Sequence, residues 1–358
     1  QELPTPGTAA ERQTFDALRT AGQTLQRLDA HLVGDISLTP LSALAHRLVQ
    51  RLLANHGIPR NITELRALAN EVSGPDAPMP TADDLFDAVE LATHLYVMQE
   101  AGERFRPTGN LAEAVAATEQ LARLRNQLPT KTTRTDETER LQQFSTPPDY
   151  AYAVSWVANL QPEDVVLEPS AGTGALAIFP PWAVGMDQVY VNELAPRRLE
   201  ALDALGFRHI SNVDAAFLYS LLSASRQQPP TVVVMNPPFS SQQGQRFAHV
   251  GARHVEEALK FLAPGGRLVA IVGGGRGIDG PRGGMSFANP TFRDWWRRIQ
   301  EHYTVRANIA VSGDVYRKMG TTFGTRVIVI DKGPPTIPDS VLQGEAQSIP
   351  DLLRLLEG

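Results

Sequence analysis

The sequence predicts an α/β fold in which a mostly parallel sheet carries helices on both faces, with an all-helical domain ahead of it. Two observations carry this. From residue 150 onward short apolar runs alternate with helical stretches, the pattern left by parallel strands joined through crossover helices. Over 9–125, in contrast, apolar residues recur three and four apart, which is the spacing of amphipathic helices.

The helical region comes first in the chain. Leu41-Ser-Ala-Leu-Ala-His-Arg-Leu-Val-Gln-Arg-Leu-Leu53 shows the spacing well, and 82–98 and 111–128 repeat it. Turn signals divide these segments at Gly57-Ile-Pro59, Gly74-Pro75 and Pro78-Met-Pro80. No catalytic residue types gather here, so 1–130 reads as a helical accessory domain. The polar, charged stretch 131–140 suits a linker, 141–332 reads as the catalytic domain, and 333–358 as a C-terminal tail. Within 141–332 buried strands are expected at 165–167, 188–191, 231–235, 267–272 and 326–330, with helix-like pieces at 196–205 and 247–262.

Composition narrows the chemistry. The 358 residues include no cysteine, which excludes disulfides, zinc-thiolate sites, iron–sulfur clusters and a cysteine nucleophile. No run reaches the roughly 18 apolar residues of a membrane span, and no charged-then-apolar leader opens the chain. A cytoplasmic protein with no membrane partner is expected. The chain starts at Gln1 and ends at Gly358 soon after Pro334, Pro335 and Pro338, the profile of a piece of a longer polypeptide. Net charge is −6, yet 240–332 alone carries 14 basic and 7 acidic groups. That asymmetry suggests a face able to meet phosphates, although a charge run is also what plain solvated surface looks like. Trp295-Trp296 beside Arg297-Arg298 reads as core packing.

Two motifs carry the chemistry. Leu167-Glu-Pro-Ser-Ala-Gly-Thr-Gly-Ala-Leu176 follows a strand and is expected to lead into a helix, with Gly172 and Gly174 letting the backbone turn sharply and approach a ligand. No Gly-Lys-Ser/Thr follows, so this is no nucleotide-hydrolysing phosphate loop. A carboxylate at Glu168 would repel phosphate and suits a cationic or hydroxyl-bearing ligand. Glu193, ending the next strand, can accept from both hydroxyls of a ribose, and Asp214 can accept from an adenine amino group. Each alone could equally be a helix cap. Following the glycine loop in order, they describe a nucleoside site.

The second motif is Asn236-Pro-Pro-Phe239, at the end of the very apolar strand 231–235. Its prolines, Pro237 and Pro238, stiffen the turn and remove two backbone donors, so carbonyl oxygens face the crevice. An Asn side-chain oxygen and a proline carbonyl together can accept both hydrogens of an NH₂ group, which leaves the nitrogen lone pair for an electrophile. Phe239 can stack on a planar base.

With these motifs in place the chain resembles the amino-methyltransferases that include the adenine-specific DNA methyltransferases. Gln143-Phe-Ser-Thr-Pro-Pro148, Glu168-Pro-Ser-Ala-Gly-Thr-Gly174 and Asn236-Pro-Pro-Phe239 occur in the order of that class's gamma arrangement, within about 141–332. The resemblance implies a Rossmann-like S-adenosylmethionine-dependent methyltransferase sheet. It also implies S-adenosyl-L-methionine as cofactor, held by Phe144, Ser145, Thr146, Pro147, Glu168, Ser170, Ala171, Gly172, Gly174, Glu193, Asp214 and Asn236. The target would be the exocyclic amine of a flipped-out adenine in DNA, reached by direct in-line transfer. Gly313-Asp-Val-Tyr-Arg-Lys-Met-Gly-Thr-Thr-Phe-Gly-Thr-Arg326 is similar to methyltransferase regions of larger helicase-like proteins of phages and mobile elements. That implies further domains, or a specificity or helicase partner, and a role in restriction-modification or anti-restriction.

Two departures stand out. The class more often has Tyr where this chain has Phe239, and only some 25 residues follow the final expected strand, which leaves no room for the usual C-terminal target-recognition domain. Specificity would then come from the helical domain, the basic loops or a partner. In the glycine-rich stretch 273–284, Arg276 and Arg282 are candidate substrate contacts, and a simple disordered surface loop is the equal alternative. The same catalytic motif serves RNA guanine methyltransferases and protein glutamine methyltransferases, and an inactive cofactor-binding scaffold is a further alternative.

Overall fold

The computed structural model describes residues 39–74, 77–100, 104–131, 144–224, 228–238, 250–275, 290–337 and 339–357. Phe239, Arg276, Arg282 and the expected linker beyond Lys131 lie outside them.

Four helices open the described chain: α1 (Pro40–Leu53), α2 (Ile62–Ser73), α3 (Ala82–Glu100) and α4 (Leu111–Gln127). Each starts where a short polar side chain satisfies an orphan backbone donor. Thr39 accepts from Ser42 N–H, Asn61 from Glu64 N–H and Asn110 from Glu113 N–H. At α3 the caps are reciprocal, Asp84 N–H donating to Thr81 Oγ1 and Thr81 N–H to the Asp84 carboxylate.

After these come α5 (Pro148–Ala158), α6 (Pro181–Val184), α7 (Pro196–Ala204), α8 (Leu218–Ala224), α9 (Val250–Phe261), α10 (Pro290–His302) and α11 (Ile349–Glu357). They alternate with β1 (Val166–Glu168), β2 (Val189–Asn192), β3 (His209–Ser211), β4 (Val232–Met235), β5 (Arg267–Gly275), β6 (Thr304–Val311), β7 (Gly324–Asp331) and β8 (Leu342–Ala346). The strands form one sheet in the order β3-β2-β1-β4-β5-β7-β6-β8. β1 to β5 run parallel, β7 is antiparallel to both β5 and β6, and β8 pairs parallel with β6.

Side chains alternate between two cores, as the period of a strand requires. Val166, Val232, Val234 and Val269 pack toward one face with α1–α5, α7 and α11, while Leu167, Val233, Met235 and Leu268 pack toward the other with α8–α10. With both faces covered, the inner strands read as continuous apolar runs. Phe292, Trp295 and Trp296 belong to the second core, so the tryptophan pair packs a helix as expected.

The structure differs from the expected organisation in three ways. Residues 333–358 are no tail: β8 adds an eighth strand, and Leu352 and Leu353 of α11 are fully buried against α4 and α5. The helical region is no separate accessory unit, because its apolar face and the sheet share one continuous core, from Leu44 through Val166 to Leu353. The expected helix after the glycine loop is also missing. Residues 172–177 run as turns, and the four-residue α6 begins only at Pro181, because two glycines at positive φ and the Pro180-Pro181 pair interrupt a continuous helix.

The basic stretch is laced with ion pairs. Arg267 and Arg306 share Asp331, Arg297 meets Asp294 and Glu301, Arg298 meets Glu256, and Arg317 meets Asp314. No helix among the described residues is long and apolar enough to cross a membrane.

Candidate active site

The strand order reverses between β1 and β4, and a crevice at the carboxyl ends of parallel strands is expected at such a switch point. A cleft of about 750 Å³, its open mouth included, lies there. Each sequence motif reaches it from a different strand end: Glu168 from β1, Glu193 just past β2, Asp214 past β3 and Asn236 past β4. Phe144, Ser145, Thr146, Ser170, Ala171, Gly172, Pro237 and Pro238 also line it. Pro147 instead caps α5 from the same segment, and Gly174 lies beneath the turn.

The turn itself explains both glycines. Gly172 has φ +58° and Gly174 φ +99°, a region that disfavours other residues. A Cβ at Gly174 would also come within 2.8 Å of a Leu205 methyl carbon, so this position needs glycine twice over. Gly172 N–H donates to Glu193 at 2.7 Å, and Ala195 N–H donates to its other oxygen at 2.8 Å. Glu193 thus braces the turn as well as facing the cleft. Asp214 accepts from Ala216 N–H, which is the helix-cap role, while also lining the cleft.

Besides Nε and Nη2 of Arg198, whose guanidinium pairs with Asp87, three buried polar atoms in this cleft have no hydrogen-bond partner among the described residues. The first is Glu168 Oε2. Burial pushes the Glu168 carboxyl well above the usual carboxylate range; the Ala177 N–H opposes the rise and the Glu193 charge adds to it. The second is Nδ1 of His254, on α9, a ring that burial holds neutral by lowering its pKa to about 4. The third is Asn236 Oδ1. Leaving such groups unpaired costs on the order of 1–3 kcal/mol each, so their clustering at one cleft marks a place built to be filled.

Asn236 is held from its other end. Its Nδ2 donates to the Phe144 carbonyl at 3.3 Å, the Thr146 hydroxyl at 2.9 Å and the Tyr316 hydroxyl at 3.2 Å. A carbonyl can only accept, so the amide must turn its nitrogen this way and its oxygen into the cleft. The Phe-Ser-Thr-Pro segment and the Asn-Pro-Pro motif, 90 residues apart, are thereby joined.

Sequence reading missed Tyr316, His254, Glu90 and Arg198. Tyr316 is fully buried and packs edge-on against Tyr150, whose hydroxyl meets Thr325. It lies in the segment quoted above for the helicase-like resemblance, where a tyrosine on a short helical turn gives no chemical signal. His254 sits among the apolar positions of an ordinary amphipathic helix.

The architecture defines a class. A mixed sheet of this order, with one antiparallel strand among parallel ones, helices on both faces and a helical N-terminal region, is the Rossmann-like fold that the sequence led us to expect. No protein-family model and no curated protein matches the chain. Among solved structures it is similar to a candidate class I S-adenosylmethionine-dependent methyltransferase from Listeria monocytogenes, with 13% identity, 96% of this chain and 98% of that chain covered, and a TM-score of 0.45. It is similar to the M protein of the type I restriction enzyme EcoKI, at 17% identity, 85% and 71% coverage and a TM-score of 0.43. A candidate RNA methyltransferase from Pyrococcus horikoshii gives 18% identity, 61% and 99% coverage and a TM-score of 0.43.

Proposed function

We propose that the chain is an S-adenosylmethionine-dependent methyltransferase acting on an exocyclic amine, that of adenine in DNA. The observation that carries this is Asn236: its nitrogen is tied by three acceptors while its oxygen stands buried and unpartnered in the cleft. An amine N–H that bonds this oxygen has its lone pair directed away from the amide, so the residue positions and polarises the nucleophile without removing a proton beforehand. The proline carbonyl of the same turn is suited to accept the second amine hydrogen.

The residues present fit the cofactor. The buried Glu168 carboxylate, whose Oε2 has no partner, suits its ammonium group, Glu193 and Asp214 suit a ribose and an adenine, and the turn at Gly172 brings backbone close to the ligand. When bound, S-adenosylmethionine supplies the electrophilic methyl group. The protein's own part is to align the amine and exclude water.

DNA is favoured over RNA guanine and protein glutamine by the contact of the Phe-Ser-Thr-Pro segment with Asn236, the pairing of motifs on which the resemblance to adenine-specific enzymes rests. The basic stretch supports a nucleic-acid partner less than its composition suggests, since most of its described arginines are already paired. Further domains, or a specificity or helicase partner, would supply target recognition in a restriction-modification or anti-restriction setting.

The test is transfer of labelled methyl from S-adenosylmethionine to mixed-sequence DNA, RNA and protein. Label on adenine N6 in DNA is expected; label on RNA or a glutamine amide moves the reading to that class, and cofactor binding without transfer to any of them favours the inactive scaffold. Tyr316→Phe is expected to lower kcat about tenfold with a smaller change in cofactor KM, since it removes one of the three anchors of Asn236 together with the hydroxyl's bond to Thr146. An unaltered kcat would show that Phe144 and Thr146 hold the amide by themselves.

A further inference from the structure

α3 presents Asp83, Asp87 and Glu90 on one face, four and three residues apart. Asp83 meets Lys131 at 3.4 Å, and Asp87 pairs with Arg197 and, at 3.5 Å, with Arg198 of α7. Glu90 is engaged differently. Ser145 Oγ donates to its Oε1 at 2.5 Å and Thr173 Oγ1 to its Oε2 at 2.8 Å. Both hydroxyls line the cleft, one from the segment ahead of α5 and one from the glycine turn.

A hydroxyl has one proton and two lone pairs. With each proton committed to Glu90, what these two oxygens can offer a ligand is a lone pair. The bonds are charge-assisted, which strengthens the commitment. Desolvation pushes the Glu90 carboxyl up, but the Lys131 and Arg198 charges and the two hydroxyl bonds outweigh it and hold the group below its ordinary range. A carboxylate from the helical layer thus fixes the hydrogen-bonding sense of two cleft-lining hydroxyls that lie 28 residues apart in the sequence.

We propose that Glu90 is a positioning residue for the amino-acid end of the cofactor, holding Ser145 and Thr173 so that they join Glu168 in accepting from an ammonium group. This rests on the reading of the cleft as an S-adenosylmethionine site. It makes the helical layer part of the cofactor site. By linkage, whatever shifts α3 must change cofactor affinity, and cofactor must stabilise the seating of α3.

The experiment compares calorimetric Kd values for S-adenosylhomocysteine and for 5′-methylthioadenosine, which shares the nucleoside thioether but lacks the amino-acid end. The proteins are the full chain, Glu90→Ala, Glu90→Gln, and Val89→Ala, which opens a cavity on the same helix without touching either hydroxyl. The full chain should bind both ligands. The Glu90 variants should lose about 10- to 100-fold on S-adenosylhomocysteine and less than threefold on 5′-methylthioadenosine, while Val89→Ala affects both alike. Equal losses on both ligands, or none, in the Glu90 variants overturn the proposal and leave the cleft reading intact. Failure of the full chain to bind either ligand overturns both. Should Glu90→Ala not fold, the near-isosteric Glu90→Gln decides, since its amide nitrogen can only donate and would turn one hydroxyl's proton toward the cleft.

Discussion

Asn236→Ala is expected to reduce methyl transfer by about 10²–10³-fold, the range seen when one preorganised polar contact is removed from a reaction centre. The loss should fall on kcat. The amide's nitrogen is spent on Phe144, Thr146 and Tyr316, so what the cleft loses is the Oδ1 acceptor. Binding of S-adenosylhomocysteine should stay within a few fold, which also reports that the variant has folded. Turnover within tenfold of the parent would remove this amide from the chemistry and leave positioning to the proline turn.

Glu168→Gln should have two opposite effects. Affinity for S-adenosylmethionine falls by about 10- to 100-fold, because an ion pair with the ammonium becomes a bond from a charged donor to a neutral acceptor. The ligand-free protein, however, should melt at a higher temperature at neutral pH. Burial raises the carboxyl's pKa in the folded state above its unfolded value near 4.3, so the native state holds the proton more tightly. Stability from this group is therefore fully present below the unfolded pKa and is lost as pH rises toward the folded one. The gain of the Gln variant should vanish near pH 4 and open as pH rises. In the parent, cofactor affinity should weaken as pH falls through the raised pKa, because the ammonium needs the ionised form. Thermal melts and calorimetry across that range check both. A variant melting below the parent at pH 7 would mean that the Ala177 N–H bond to Glu168 outweighs the cost of burying its charge.

Much of the sheet was legible in the sequence because its signals are local. β1, β2, β4, β5 and β7 each contain a short apolar run, and the glycine turn and the Asn-Pro-Pro motif follow two of them directly. β6 escaped because Arg306 and Asn308 break its run, and only the fold shows that Asn308 is buried with Arg326 bonded to it. β3 has three residues, and β8 carries a glycine and two polar residues, too little pattern in either case. The helical layer was found, but its union with the sheet was not, because a shared core leaves no trace in periodicity. Glu90 illustrates the deeper limit: its partners lie 55 and 83 residues away, and within α3 it looks like any surface glutamate.

β8 has a consequence for how this chain can be cut. It occupies the hydrogen-bonding edge of β6, whose Ile309, Ala310 and Val311 are almost wholly buried. At the opposite margin the sheet ends in the three-residue β3, too short to recruit another chain. A version ending at residue 332 would lose that cover and display an apolar edge with free amides and carbonyls. Such an edge invites strand addition between molecules, so the truncated protein would be a self-associating one even if its cleft were intact.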